Sequence, residues 1–182
     1  MNIRLLPKKD SSASIWGGGL TYEYIIYPET AKYSDRDFIF RISSATIEKV
    51  PSEFTKFKGY YRYLVMLDNY LDIELNKEKK RYEKYEIIEF NSADEVTSYT
   101  KGTDFNWMVS EKVSNHKLKI TNGNQNYNAE IIILFSLHTT IIKINEKLYD
   151  LEPHDLLVIE NQKKENIVLD FSNECLCGIL DF

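Results

Sequence analysis

Apolar and polar residues alternate along most of this chain in short runs, with the period of two that a pleated strand imposes. Ile3 to Leu6 reads as an edge strand. "TYEYIIYP", residues 21–28, places Tyr22, Tyr24 and Ile26 on one side and Glu23 and Ile25 on the other. "FIFRISSATIEKV", residues 38–50, sets Phe38, Phe40 and Ile42 against Ile39, Arg41 and Ser43 until Pro51 ends the run. "YYRYLVMLDNYLDIELN" reads as two strands joined at Asp68 and Asn69, and "YEIIEF" as another. The Lys77–Lys84 run, "KEKKRYEK", reads as a solvated hairpin loop, and Thr100–Thr103 as a turn before "DFNWMVS". A further turn is predicted at Gly123 and Asn124. The apolar stretch Ile131–Phe135 has the character of a buried central strand. No long segment carries a capped helical stripe, although residues 92–99 have room for one or two turns. The pattern predicts an all-β fold, a sandwich or barrel.

There is an internal echo. "YLVMLDNYLDIELN" followed by "YEKYEIIEF" resembles "IILFSLHTTIIKIN" followed by "LYDLEPHDLLVIEN", about seventy residues later. Two copies of a jelly-roll element would use the whole length, though any two amphipathic hairpins share such features. The 182 residues carry a net charge of −5, with 43% hydrophobic and 28% charged residues, so the composition is that of a folded chain. Charge is mixed along the sequence, and no basic stripe is present to collect phosphates, so no nucleic-acid partner is expected. No run approaches the roughly 18 apolar residues of a membrane span, and the N-terminus lacks a signal-like apolar segment. No membrane partner is expected, and the default location is cytoplasmic.

Gly17, Gly18 and Gly19 raise the question of a phosphate cradle. A dinucleotide fingerprint needs a strand before its glycines and a helix after them, and a P-loop ends in Gly-Lys-Ser or Gly-Lys-Thr. Neither condition holds. A tight crossing into a strand, anchored by Trp16, fits better, with Thr21 and Glu23 projecting from that strand toward a cavity. Arg41 and Arg62 stand among apolar and aromatic strand residues. Three readings follow: heads in water at strand edges, internal pairing with Glu23 or Asp104, or a fork for an anionic small molecule. Ser43 and Ser44 follow Arg41, and either hydroxyl can supply a further hydrogen bond, but neither stands in a glycine-flanked nucleophile elbow. His116, His138 and His154 are far apart, and Cys175 and Cys177 have no second cysteine pair, so neither a metal nor another cofactor is expected. These residues do not support catalysis.

Several segments together resemble the HutD/Ves family, associated in part with bacterial histidine-utilisation gene sets. They are "WGGGLTYE" (16–23), "YP" (27–28), "DFIFRISSA" (37–45), "SEFT" (52–55), "GYYRYLVML" (59–67) and "DFNWM" (104–108). The resemblance implies a duplicated cupin, or bicupin: a compact domain over residues 1–182 with halves near 1–110 and 111–182 that can exchange strands. It also departs from the family pattern. Trp16 stands where an Asn precedes the first glycine, Ser14 where a Trp is common, and Asn91 where a Gly often follows Phe90. In "LEPHDLL" (151–157), His154 takes the place of the glycine of a common cupin turn. The usual histidine–carboxylate metal cluster is missing.

The resulting expectation is a non-catalytic cytoplasmic protein that binds a small acidic metabolite, with a regulatory role in histidine or related amino-acid degradation. Arg41 and Arg62 would supply charge, and Ser44, Thr21 and Asn106 shape and hydrogen-bond polarity. Trp16 or a tyrosine would close the mouth, with Glu23 and Asp104 beside the ligand. The alternatives are an enzyme using Glu23 or Asp104 as acid or base, and a protein-interaction module. A homodimer is compatible with each.

Overall fold

The computed structural model describes residues 1–182. It contains seventeen strands and one helix, a single 3-10 turn at Lys8–Asp10. The first strands are β1 (Asn2–Leu6), β2 (Ser12–Trp16), β3 (Gly19–Tyr27), β4 (Phe40–Ile47) and β5 (Ser52–Glu53). Next come β6 (Tyr60–Met66), β7 (Leu71–Leu75), β8 (Glu78–Tyr82), β9 (Ile88–Asn91), β10 (Val96–Ser98) and β11 (Gly102–Ser110). The rest are β12 (Asn115–Tyr127), β13 (Ile131–Ser136), β14 (Thr140–Ile144), β15 (Lys147–Leu151), β16 (Leu156–Glu160) and β17 (Ile167–Asp181).

Backbone packing divides the chain into two units, Ser12–Lys112 and Met1–Ser11 with Val113–Phe182. The first holds a six-stranded sheet, β2-β3-β4-β11-β6-β9, and a four-stranded one, β5-β10-β7-β8. The second is one sheet, β1-β16-β13-β17-β14-β15, with β12 also on β17. The N-terminal strand β1 therefore pairs with β16, far from it in sequence.

Alternation decides what each face buries. In β4, Phe40, Ile42 and Ser44 are fully buried on one face, while Arg41, Ser43 and Ala45 point to the other. In β11, Phe105, Trp107 and Val109 share the first kind of face, and Asp104, Asn106 and Met108 the second. The second unit instead buries an apolar interior, including Ile132, Leu134, Ile142, Leu157 and Leu169, with Cys175 and Cys177 among them.

Several expectations are corrected. The Lys77–Lys84 run is not a loop: the chain turns at Asn76 and Lys77, both at positive φ, and β8 returns along β7. Residues 92–99 hold a turn and β10 rather than helix, because Val96–Ser98 pair with β7. β11 begins at Gly102, inside the expected turn. Gly123 does not reverse the chain; at φ +60° it sits in a β-bulge that lets β12 run on past Thr121. Glu23 and Ile25 lie on opposite faces, because a bulge interrupts β3 between them.

The glycine triplet is a hairpin joining β2 to β3, and two of its members are required by close approach. A Cβ on Gly19 would lie 1.9 Å from the Thr46 carbonyl oxygen, and one on Gly18 would lie 2.3 Å from the Trp16 ring. Gly17 has open space. Gly19→Ala is expected to lower unfolding free energy by on the order of 3 kcal/mol, and Gly17→Ala by less than about 0.5, as read by urea denaturation.

Candidate functional site

The polar face of the six-stranded sheet lines a cavity of about 240 Å³. Register brings its residues together. Arg41 on β4 and Arg62 on β6 both stand opposite Met108 on β11, which runs between them. Their Cα atoms are thus two strand spacings apart, roughly 10 Å, within reach of a shared cavity for side chains this long. Asn106 and Asp104 follow at two-residue steps along β11, opposite Ser43 and Ala45. Thr21 on β3, Ser14 and Trp16 on β2, and the segment Glu53–Thr55 complete the wall, with Tyr33 beside Arg41.

The two guanidinium groups differ in their partners. Arg41 donates from Nε to Glu23 Oε2 at 2.6 Å and from Nη1 to Ser43 Oγ at 3.1 Å, and the Tyr33 ring lies 4.3 Å from its Cζ. Arg62 is 5% exposed, with no carboxylate at ion-pairing distance. Its Nη2 reaches the Thr55 carbonyl at 3.2 Å, Ser92 Oγ at 3.0 Å and Met108 Sδ at 3.6 Å, while its Nε has no partner. Burial pulls its pKa down, but a guanidinium keeps its charge at any ordinary pH. A buried cation satisfied only by neutral groups is costly, and an anionic neighbour would lower that cost.

Two more buried polar atoms on this wall have no partner: Asn106 Oδ1, an acceptor, and Trp16 Nε1, a donor. Native interiors leave few such atoms, and the grouping of Arg62 Nε, Asn106 Oδ1 and Trp16 Nε1 around one space makes that space the candidate site. Asp104 is 2% exposed, and its Oδ1 accepts the Ala45 N–H at 3.0 Å. Burial pushes its carboxyl up to about 7, against the lowering effects of that hydrogen bond and of the Arg62 and Arg41 charges.

The sequence profile of the HutD family matches residues 8–177. The chain belongs to the HutD family. HutD from Pseudomonas fluorescens SBW25, whose structure was determined in a formate condition, superposes with a TM-score of 0.85 at 21% identity. That match covers 99% of this chain and 98% of that one. A conserved protein of unknown function from Pseudomonas aeruginosa PAO1 gives a TM-score of 0.85 at 20% identity over the full length of both chains. A cupin 2 conserved barrel domain protein from Leptotrichia buccalis gives 0.60 at 9% identity, covering 92% of this chain and 91% of that one. At these identities the neighbours establish the fold, which is cupin-like. No curated protein matches the sequence.

Many cupins hold a metal, and this HutD-family cavity does not fit one. It has no histidine or cysteine, its carboxylates are Asp104 and Glu53, and two guanidinium groups line it. Nowhere do three His, Cys, Asp or Glu side chains converge to hold a metal ion. Cys175 and Cys177 are buried in the other unit, where burial raises their thiols to about 12 and about 11.

Of the residues singled out from sequence, Arg41, Arg62, Thr21, Asp104, Asn106 and Trp16 line the cavity. Ser44 does not: it points to the opposite face with Ile42, where its hydroxyl donates to the Asp104 carbonyl at 2.6 Å. Ser43, two residues from Arg41, takes the position expected for it. Glu23 acts through Arg41 rather than on the cavity wall. Sequence reading missed Ser14, Thr55, Ser92 and Met108. Strand parity with Asn106 could have found Met108; the loop residues carry no such signal.

Because the folded state holds the Asp104 proton more tightly than the unfolded chain does, this carboxyl favours folding at low pH. That advantage is lost as pH rises from about 4, the unfolded value, through about 7. Asp104→Asn removes the penalty of ionising it. The stability of the variant relative to the parent is expected to rise by on the order of 3 kcal/mol between about pH 5 and about pH 8, as measured by denaturant unfolding.

Proposed function

We propose that this protein binds a small organic acid in the cavity of its first unit without transforming it, as a sensing or regulatory component in the cytoplasm. The HutD family's association with histidine utilisation makes an acidic intermediate of histidine or related amino-acid degradation the natural ligand class. One observation carries the reading. A buried, permanently charged Arg62 without a carboxylate partner faces a partly open hollow whose other walls present an unpaired donor and an unpaired acceptor. The guanidinium geometry suits a carboxylate, which can accept two parallel hydrogen bonds. A space of about 240 Å³ suits a metabolite of a few carbons rather than a nucleotide.

Titration calorimetry against N-formylglutamate, glutamate and urocanate tests the proposal. At least one acid is expected to bind more tightly than millimolar. Arg62→Ala should weaken it roughly ten- to hundredfold, the worth of a hydrogen bond to a charged group, and Arg41→Ala should weaken it as well. Binding no tighter than millimolar by all three acids, together with no effect of Arg41→Ala, overturns it.

The Asp104 carboxyl, with its raised pKa, favours a second reading in which it serves as a catalytic acid or base. Conversion of one of these acids by the parent protein, lost in Asp104→Asn, would replace binding by catalysis.

A further inference from the structure

Charges around the cavity do not balance for a simple anion site. From β4 comes Arg41, whose charge is answered by Glu23 on β3. From β6 comes Arg62, unanswered by any carboxylate at ion-pairing distance. From β11 comes Asp104 itself, buried and without an ion-pair partner. Asp68, after β6, accepts the Thr103 N–H at 2.9 Å and opposes a second negative charge nearby. Glu53 reaches the cavity from β5 at an exposed position, where solvent screens it. Tyr33 contributes a ring beside Arg41.

If Asp104 is ionised, its charge cancels that of Arg62, and an entering carboxylate brings an uncompensated negative charge into buried space. If Asp104 is neutral, one positive charge is left for one carboxylate. The neutral group also becomes a donor. Its Oδ1 is already engaged by the Ala45 N–H, so the proton belongs on Oδ2, which has no hydrogen-bond partner in the protein. A carboxylic acid kept neutral by its surroundings can then donate to an oxyanion.

We infer that an organic acid enters this cavity together with one proton, which is held on Asp104 and donated as a hydrogen bond to the bound carboxylate. The proton is taken from solvent, and no other bond is made or broken. The inference rests on the reading of the cavity as an acid-binding site and adds its coupling to pH. Asp104 is on this account a specificity-determining residue. It selects ligands presenting one negative charge at this subsite and makes their affinity a function of pH. The raised pKa of the empty site, about 7, supports the geometry, since it makes the proton available near neutrality.

The test is calorimetric titration of the full chain with N-formylglutamate, and with acetate as a one-carboxylate probe, from about pH 6 to about pH 9. Both probes keep their carboxyl groups ionised over that range, so any proton uptake belongs to the protein. Binding at about pH 8, measured in phosphate and in Tris, reports the number of protons taken up from the difference in apparent heat. About one proton per ligand is expected, with affinity falling about tenfold per pH unit above Asp104's own pKa. In Asp104→Asn the uptake disappears and affinity varies by less than about threefold over the range. Infrared difference spectra of the parent complex at about pH 8 should show a carboxylic-acid carbonyl band that the variant lacks. Binding without proton uptake and with a flat pH profile overturns this inference and leaves the acid-binding reading standing. Failure of both probes to bind at about pH 6 overturns this inference, and failure of glutamate and urocanate as well overturns the acid-binding reading. If Asp104→Asn does not fold, the proton count of the parent protein in the two buffers decides.

Discussion

One buried guanidinium organises the functional half of this molecule. Arg62 gives up most of its water to sit within a sheet face, and the groups that receive it are a carbonyl, a hydroxyl and a thioether, all neutral. A charge placed this way disfavours the empty state and favours any state that supplies an anion. The features around it are consistent with that imbalance: Glu23 is spent on Arg41, Asp104 faces the same space without an ion pair, and Asn106 and Trp16 hold unpaired polar atoms on the wall. Beyond the cavity the same sheet face turns apolar, with Leu64 and Met66 following Arg62 on β6 and packing into a hydrophobic cluster. Such surroundings strengthen every electrostatic contact made inside it.

The two units treat their interiors differently. One reserves its polar sheet face for a cavity, and the other fills its interior with isoleucine, leucine and two inert thiols. A cupin-like fold does not by itself specify a metal or a reaction. Here the cavity is lined by two arginines with Asp104 and Glu53, a set that does not suit a divalent cation.

Much of this could be read from the sequence, because β4 and β11 pair without a register break and their side chains alternate between the two sheet faces. An arginine flanked by Phe40 and Ile42, and another among tyrosines, stood out as charges on strands that bury their neighbours. Where the reading failed, one residue of register was usually at fault. Ser43 and Ser44 offer the same hydroxyl, but only Ser43 shares the parity of Arg41. Gly123 has the sequence signature of a turn and marks a bulge, since both use a glycine at positive φ. The walls contributed by Tyr33, Phe54 and Thr55 come from segments between strands, whose placement depends on tertiary packing that periodicity does not encode.

The irregularity in β3 reaches further than its size suggests. Up to Glu23 the strand is in register with Ala45 and Ser43; beyond Tyr24 it resumes with Ile25 opposite Ile42 and Tyr27 opposite Phe40, their rings stacked at 5.2 Å. The extra residue lets a single strand present a carboxylate to Arg41 and, two positions on, an isoleucine to the opposite face. Shortening the chain by one residue here would barely change the composition. It would also force a choice between turning Glu23 away, which strips Arg41 of its counterion, and turning Ile25 into a polar hollow. Tyr24 thus works as a spacer, and relatives that lack it would have to neutralise Arg41 by another route.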